Sequence, residues 1–283
     1  MAGTLFVVAT PIGNLEDISA RALRVLREAA LIAAEDTRRT SKLLARHGIS
    51  TPTTSLHAHN EHEKRAELVT RLAAGDSIAL VSDAGTPTVA DPGSLLVAAA
   101  VAAGIRIEPI PGASAITAIV SVSGFPADSF SFLGFPPTSR TKRAAWFTRL
   151  RQIGGCVVFY EAPHRIKFTL EDLVRAAGDV PVVIGRELTK THEEILRGSV
   201  SEVLGGLQEP IGEFVVVVYV GHSTEHGSEA PGLSPTAARA EFGRLTDTGG
   251  LTRRQAIAKL SRDYNLTARQ VFDLLEEAKR SAR

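Results

Sequence analysis

Short apolar runs alternate with helical patterns through the N-terminal part of this chain. Residues 5–9, 31–34, 77–81 and 105–110 are apolar enough to form buried strands, and amphipathic stretches separate them. Strands that alternate with helices usually run parallel within one sheet, which the helices cover on both faces. The sequence therefore predicts an α/β fold that begins with a parallel sheet.

A second α/β block follows this first one. After a helix of small residues at 113–122, strands are predicted at 129–134, 156–160, 182–186, 195–198 and 213–220. At 283 residues the chain exceeds the usual size of a single core. We therefore expect two α/β domains, residues 1–111 and 112–221.

The C-terminal region has a different character. Residues 222–233 are rich in Gly, Ser, Glu and Pro, which is typical of a flexible linker. Residues 234–283 are helical in pattern, with capping boxes at Thr252 with Gln255 and at Thr267 with Gln270. This helical domain holds ten Lys or Arg against six Asp or Glu, so it is either a contact for a polyanion or a plain solvated surface.

Apolar stretches and cysteine content indicate the cellular compartment. No apolar stretch approaches the roughly 18 residues of a membrane helix, so no membrane association is expected. Residues 5–8 form an apolar run with no basic segment before it, which argues against a secretory signal. The single cysteine, Cys156, excludes an internal disulfide. We predict a cytoplasmic protein.

The loop after the predicted strand 77–81 is the most informative for function. It reads SDAGTPTVADPG, with Asp83, Gly85, Asp91 and Gly93 close together and no Lys, Arg, His or Cys. Small residues at the carboxyl end of a buried strand let a ligand approach the backbone. The loop therefore predicts a pocket for a neutral or cationic small molecule rather than for a phosphate.

Several well-known signatures are absent. The first strand-to-helix turn, TPIGN, has one glycine where a dinucleotide fingerprint needs three, although Glu35 and Asp36 fall where a ribose-binding acid would lie. There is no P-loop, and the GASAI segment lacks the second glycine of a nucleophile elbow. The cluster of His57, His59 and His62 lacks zincin spacing, so no metal is predicted.

What remains is an ordered set of polar turns, most of them directly after strands. The segments ATPIGNLEDIS, AAEDTRRT, LVSDAGTPTVADPG, PIPGASA, YEAPHR and RELTKTHEE resemble the bacterial 16S ribosomal RNA (cytidine-2′-O)-methyltransferases. These enzymes modify cytidine 1402 and belong to the tetrapyrrole methylase superfamily. The resemblance covers residues 4 to about 221 and continues more loosely into the C-terminal helices.

The resemblance implies two α/β domains of the tetrapyrrole methylase type, with the cofactor S-adenosyl-L-methionine in the cleft between them. It also implies a homodimer that acts on 16S rRNA in the small ribosomal subunit. Asp83 is expected either to bond the cofactor or to bond the backbone of its own turn. The cofactor residues that it implies are Pro11, Ser82, Asp83, Gly85, Thr86, Ser114, Ala115, Tyr160, Glu161 and Phe214.

A ribose 2′-hydroxyl loses its proton on methylation, so a general base is expected. Glu35, Asp36, His57 and His59 are the candidates, and the sequence does not choose among them. The RNA is expected to contact basic and polar side chains, although a surface ion pair explains each basic one equally well. These substrate candidates are Arg38, Arg39, Asn60, Arg165 and Lys190.

Two alternatives stay open at this point. One is a precorrin-type tetrapyrrole C-methyltransferase, which shares the superfamily fold but gives the basic C-terminal region no evident role. The other is a non-catalytic ribosome-binding factor.

Overall fold

The computed structural model describes residues 2–207, 211–221, 234–248, 250–264, 266 and 268–280. The chain divides into two compact units, residues 1–221 and 222–283. The predicted linker, 222–233, lies outside the described residues.

The first sheet is fully parallel, as predicted. Its five strands lie in the order β3-β2-β4-β1-β5. The strands are β1 (Thr4–Val8), β2 (Leu31–Ala34), β3 (Thr53–Ser55), β4 (Ile78–Val81) and β5 (Arg106–Ile110). The helices between them are α1 (Ala20–Glu28), α2 (Thr37–Arg46), α3 (Glu61–Ala73) and α4 (Ser94–Ala102). The sequence pattern missed β3, because this edge strand has only three residues and all of them are polar.

Both faces of this sheet are buried, which explains the unbroken apolar runs. In β4, Ala79 and Val81 pack into one core cluster, whereas Ile78 and Leu80 pack into the cluster on the other face. A strand that is covered on both faces needs no alternation of polar and apolar residues.

The second sheet is mixed rather than parallel. Its order is β6-β7-β10-β8-β9, and only the β6–β7 pair is parallel. The strands are β6 (Phe130–Phe132), β7 (Gly155–Glu161), β8 (Pro181–Arg186), β9 (Glu194–Ser199) and β10 (Phe214–Val220). The helices of this part are α5 (Ala115–Ser123), α6 (Arg140–Ile153), α7 (Ile166–Ala177) and α8 (Val200–Gly206). The central position of β10 accounts for its run of valines.

The C-terminal unit is helical, as the pattern predicted. It contains α9 (Pro235–Gly243), a π-helical turn at Arg244–Thr248, α10 (Arg253–Asp263) and α11 (Ala268–Arg280). The capping box of Thr252 and Gln255 is present, whereas Thr267 of the second predicted box lies outside the described residues. Ala238, Leu260 and Val271 form part of its core. Within the part of the chain that the structure describes, no helix is long and apolar enough to cross a membrane.

Candidate active site

A cavity of about 390 Å³ opens within the first compact unit, where the loops of both sheets meet. Each of the six polar turns that the sequence singled out contributes to its lining. One contributor from each turn is Ile12, Glu35, Asp83, Ser114, Tyr160 and Leu188. Loops from both sheets therefore build one concave site, the usual position of a ligand in an α/β fold.

The loop after β4 is hydrogen-bonded to the turn after β1. The Thr10 backbone N–H donates to the Gly85 carbonyl at 2.8 Å, and the Gly85 N–H donates to the Thr10 carbonyl at 3.0 Å. Gly85 has φ +77°, a left-handed conformation that an L-residue with a side chain adopts at a cost in strain. This pair of hydrogen bonds joins the two turns at Gly85, which lines the cavity.

Asp83 fixes the same loop to the start of α2. Its Oδ1 accepts from the Asp36 backbone N–H at 3.0 Å, and its Oδ2 lies 3.4 Å from Nη1 of Arg39. In return, the Asp83 N–H donates to Oε2 of Glu35 at 3.2 Å. Asp83 thus bonds the backbone of a neighbouring turn, whereas the sequence analysis expected either the cofactor or the backbone of its own turn as its partner.

Glu61 holds the far end of the loop, a role that the sequence analysis did not predict. This carboxylate is 5% exposed, and its Oε1 accepts from the backbone N–H groups of Gly93, Leu95 and Leu96 at 3.0, 2.8 and 3.2 Å. These are donors at the start of α4 that have no partner within the helix. Glu61 therefore caps α4 and ends the loop at a defined point.

Five acidic residues line the cavity. Three of them, Glu35, Asp83 and Asp91, belong to the loops of the first sheet, and the other two are Glu161 and Glu213. Burial, and then the negative charge of Glu35, raise the pKa of Asp91 to about 6. Burial also raises the pKa of Glu35, although the hydrogen bond from the Asp83 backbone opposes that shift. Asp91 was absent from the predicted site residues, although its place in the loop sequence was a signal for it.

Tyr160 and Phe135 line the cavity and form an aromatic wall together with Phe132. Tyr160 packs against Phe132 and Phe135, with ring centroids 5.0 and 5.4 Å apart. Burial, and then the charge of Asp91, raise the pKa of the Tyr160 hydroxyl to about 12. Tyr160 is therefore a neutral hydroxyl at physiological pH.

Glu161 also lines the cavity, but its carboxylate is fully buried and is bonded to the loop after β7 and to α7. It accepts from the Thr169 hydroxyl and from the Ala162 N–H, the latter at 2.8 Å, and lies 3.4 Å from Nε of Arg165. This geometry makes Glu161 a support for the aromatic wall.

Most of the predicted cofactor residues lie on the cavity. Asp83, Gly85, Thr86, Ser114, Ala115, Tyr160, Glu161 and Phe214 line it. Pro11 and Ser82 do not line it. Both are buried, and the Ser82 hydroxyl donates to the Ala84 carbonyl at 3.3 Å.

The four candidate bases differ in whether they line the cavity. Glu35 lines the cavity, whereas Asp36, His57 and His59 do not. Hydrogen bonds from Arg38 lower the pKa of Asp36 to about 2, which makes this carboxylate a poor proton acceptor near neutral pH. Among the described residues, no group of three or more His, Cys, Asp or Glu is placed to hold a metal ion.

The candidate substrate residues also differ in position: one lines the cavity, and the others are bonded to neighbouring residues. Arg39 lines the cavity. Arg38 pairs with Asp36 at 3.0 Å, and Lys190 lies 2.9 and 3.1 Å from Glu187 and Glu213.

The other two candidates are held within the fold. Asn60 accepts from the His57 N–H at 2.9 Å and donates to the Ser55 carbonyl at 3.2 Å, so it stabilises its own turn. Arg165 donates to the Pro136 carbonyl and pairs with Glu161.

The family model for tetrapyrrole (corrin/porphyrin) methylases matches residues 4–204, which is most of the chain and includes every cavity residue up to Leu188. The chain belongs to this tetrapyrrole methylase family. The match includes all five strands of the first sheet and β6 to β9 of the second, and it ends before β10.

This methylase is similar to curated relatives, and a match over nearly the whole chain includes the C-terminal unit. It is 40% identical over 279 residues to the ribosomal RNA small subunit methyltransferase I of Halalkalibacterium halodurans, covering 97% of this chain and 95% of that one. It is 49% identical to the protein of the same name from Xylella fastidiosa strain Temecula1, covering 76% of this chain and 81% of that one.

A solved structure of the same fold is that of uroporphyrin-III C-methyltransferase from Thermus thermophilus, in complex with S-adenosylhomocysteine. The methylase matches it with a TM-score of 0.55 and 17% identity, over 77% of this chain and 98% of that one. At this identity the likeness concerns the fold.

Proposed function

We propose that this methylase transfers a methyl group from S-adenosyl-L-methionine to the ribose 2′-hydroxyl of cytidine 1402 of 16S rRNA in the small ribosomal subunit. The observation that carries the proposal is the similarity, over nearly the whole chain, to proteins named ribosomal RNA small subunit methyltransferase I. The similarity includes the helical region beyond the methylase domain, which the tetrapyrrole alternative leaves without a role.

The residues of the cavity fit S-adenosylmethionine, whose sulfonium is a cation. The carboxylates of Glu35, Asp83 and Asp91 provide negative charge. The apolar side chains of Ile12, Ile116 and Leu188 suit the adenosine part of the cofactor. When bound, the cofactor supplies an electrophilic methyl group. The proposed contacts are Asp83, Gly85, Thr86, Ser114, Ala115, Tyr160 and Phe214, with Pro11, Ser82 and Glu161 supporting them from behind.

We assign the general base to Asp91. It lines the cavity, and a pKa of about 6 leaves its carboxylate ionised at neutral pH and still able to take a proton. Glu35 contributes the nearby negative charge that helps to raise the pKa of Asp91. Arg39, which is 61% exposed at the side chain and lies on the cavity, is the cation best placed to meet an RNA phosphate.

Mapping of the methylated nucleotide tests the proposal. The full-length protein is incubated with methyl-labelled cofactor, small ribosomal subunits and a tetrapyrrole precursor, and the labelled product is digested and sequenced. Label on the ribose of cytidine 1402 is expected. Label only on the tetrapyrrole would support a C-methyltransferase, and no label would support a ribosome-binding factor.

Replacing Asp83 by Ala should weaken binding of S-adenosylhomocysteine about 10-fold. The change removes the acceptor for the Asp36 N–H and the partner of Arg39, so the loop after β4 loses its connection to α2. Isothermal titration calorimetry measures the affinity. Asp83→Asn, which keeps the acceptor oxygen, is the matched control and should bind more tightly than Asp83→Ala. Equal affinities for Asp83→Ala and the wild type would rule out this loop as the cofactor site.

We further propose that the protein acts as a homodimer and that residues 1–111 and 112–221 are the two halves between which the cofactor lies. The family resemblance of the turn sequences supports both statements. Light scattering on the purified chain gives the oligomeric mass, and the mass of a monomer would contradict the first.

A further inference from the structure

Phe135 lies at the cavity with half of its surface exposed. Five aromatic side chains of the described residues are strongly exposed, and of these Phe135 alone lines the cavity, with 52% of its surface accessible. An exposed phenyl ring forgoes the free energy that its burial would provide. A large exposed aromatic at the edge of a ligand cavity therefore indicates a contact that forms on binding.

The backbone on both sides of Phe135 is held in place. The Tyr160 N–H donates to the Gly134 carbonyl at 2.9 Å, and Pro136 is buried. Arg165 donates to the Pro136 carbonyl, and the Glu161 carboxylate in turn holds Arg165 at 3.4 Å. The exposed ring thus lies on a braced segment rather than on a free loop.

Neighbouring rings limit the orientation of Phe135. Its ring packs against Tyr160 with centroids 5.4 Å apart and an interplanar angle of 48°. Tyr160 is fixed in turn by edge contact with Phe132. Such a supported ring offers a flat apolar surface at little cost in side-chain entropy.

A surface of this kind suits the proposed reaction. An enzyme that modifies a ribose must hold one nucleotide with its sugar in the cavity, and the attached base then lies within a few ångströms of the site. Unpaired RNA bases are commonly held by stacking on aromatic side chains. Stacking is favourable for a neutral ring and needs no cation.

We propose that Phe135 is the stacking platform for the nucleobase of the target nucleotide. This inference rests on the proposed function, because it presumes an RNA substrate at the cavity. It makes Phe135 a substrate-binding residue, whereas Arg165 and Glu161 position it.

Steady-state kinetics on small ribosomal subunits test the assignment. Phe135→Ala should lower kcat/KM about 5- to 100-fold, mainly through KM, because one base-stacking contact is lost. Phe135→Tyr should restore at least half of the wild-type value, and Phe135→Leu, which is apolar but not aromatic, should not. Affinity for S-adenosylhomocysteine, measured by calorimetry, should stay within about 2-fold for all three variants.

Phe168→Ala is the matched control. Phe168 lies on α7, is 69% exposed and does not line the cavity, so its loss should leave kcat/KM unchanged. The assignment fails if Phe135→Ala keeps wild-type kcat/KM or if Phe135→Leu matches the wild type. It also fails if Phe135→Ala weakens the binding of S-adenosylhomocysteine as strongly as it lowers kcat/KM on the RNA substrate, because the ring would then bind the cofactor. Absence of ribosomal methylation by the wild type would overturn the proposed function instead.

Discussion

Replacing Asp91 by Asn is expected to lower kcat at pH 7.5 by about 100-fold or more, the usual contribution of a general base. Asn keeps the size and polarity of the side chain but accepts no proton. Single-turnover methylation of small ribosomal subunits measures the rate of the chemical step. Glu35→Gln is the control, since it removes a neighbouring charge and leaves the proposed base in place.

The pH profile distinguishes a base from a structural carboxylate. The base must be deprotonated to act, so the wild-type rate should fall as the pH drops through about 6, the pKa of Asp91. Asp91→Asn should lose this inflection, and Glu35→Gln should shift it to lower pH because a repelling charge is gone. If Glu35→Gln abolishes the inflection and Asp91→Asn retains it, Glu35 is the base.

The Asp91→Asn substitution should also stabilise the protein at neutral pH. Because the folded pKa of Asp91 is raised, the folded state holds its proton more tightly than the unfolded state. Stability therefore declines between the unfolded pKa, near 4, and the folded pKa, about 6. Asp91→Asn removes this decline, and at pH 7.5 it should add about 1–2 kcal/mol after allowance for solvent screening. Calorimetric melting at pH 7.5 and pH 4.5 should show the gain only at the higher pH.

Replacing Glu61 by Ala should lower the free energy of unfolding by about 2–4 kcal/mol, because three backbone donors at the start of α4 lose their buried acceptor. For a unit of this size the melting temperature should fall by roughly 5–15 °C. The loop that carries Asp83 and Asp91 loses its anchor at Gly93, so cofactor affinity should fall as well. Thermal unfolding followed by circular dichroism measures the first effect.

Two variants isolate the role of the Glu61 acceptor. Glu61→Gln keeps one carbonyl oxygen at the same place and should recover most of the lost stability. Glu63→Ala removes an exposed acid from the same first turn of α3 and should change stability by less than about 0.5 kcal/mol. A melting temperature for Glu61→Ala equal to that of Glu63→Ala would contradict the capping role.

Local patterns predicted the elements that are regular and strongly apolar. Strand β4 and the run of valines in β10 are recognisable from sequence because both are buried on two faces. Strand β3 is not, since its three polar residues resemble a loop. The direction of strands in the second sheet also escaped prediction, because pairing partners are chosen by connections between distant segments.

The candidate site was likewise predicted in part from local sequence and in part only from the structure. The small residues around Asp83 marked a ligand loop, and their order among the other polar turns marked the family. The hydrogen bonds between Glu61 and Gly93, and between Arg165 and Pro136, join residues far apart in sequence, so no local pattern encodes them.

The sequence by itself determined the fold class, the family and the loop that faces the ligand, because these depend on local apolar runs and on short motifs. Only the tertiary structure decided which carboxylate is suited to act as the general base. The pKa of Asp91 is set by burial and by the charge of Glu35, two properties that arise when strands far apart in the chain lie side by side. The same holds for Phe135, whose position at the cavity depends on contacts that its segment makes with Tyr160 and Arg165, two residues from a distant part of the sequence.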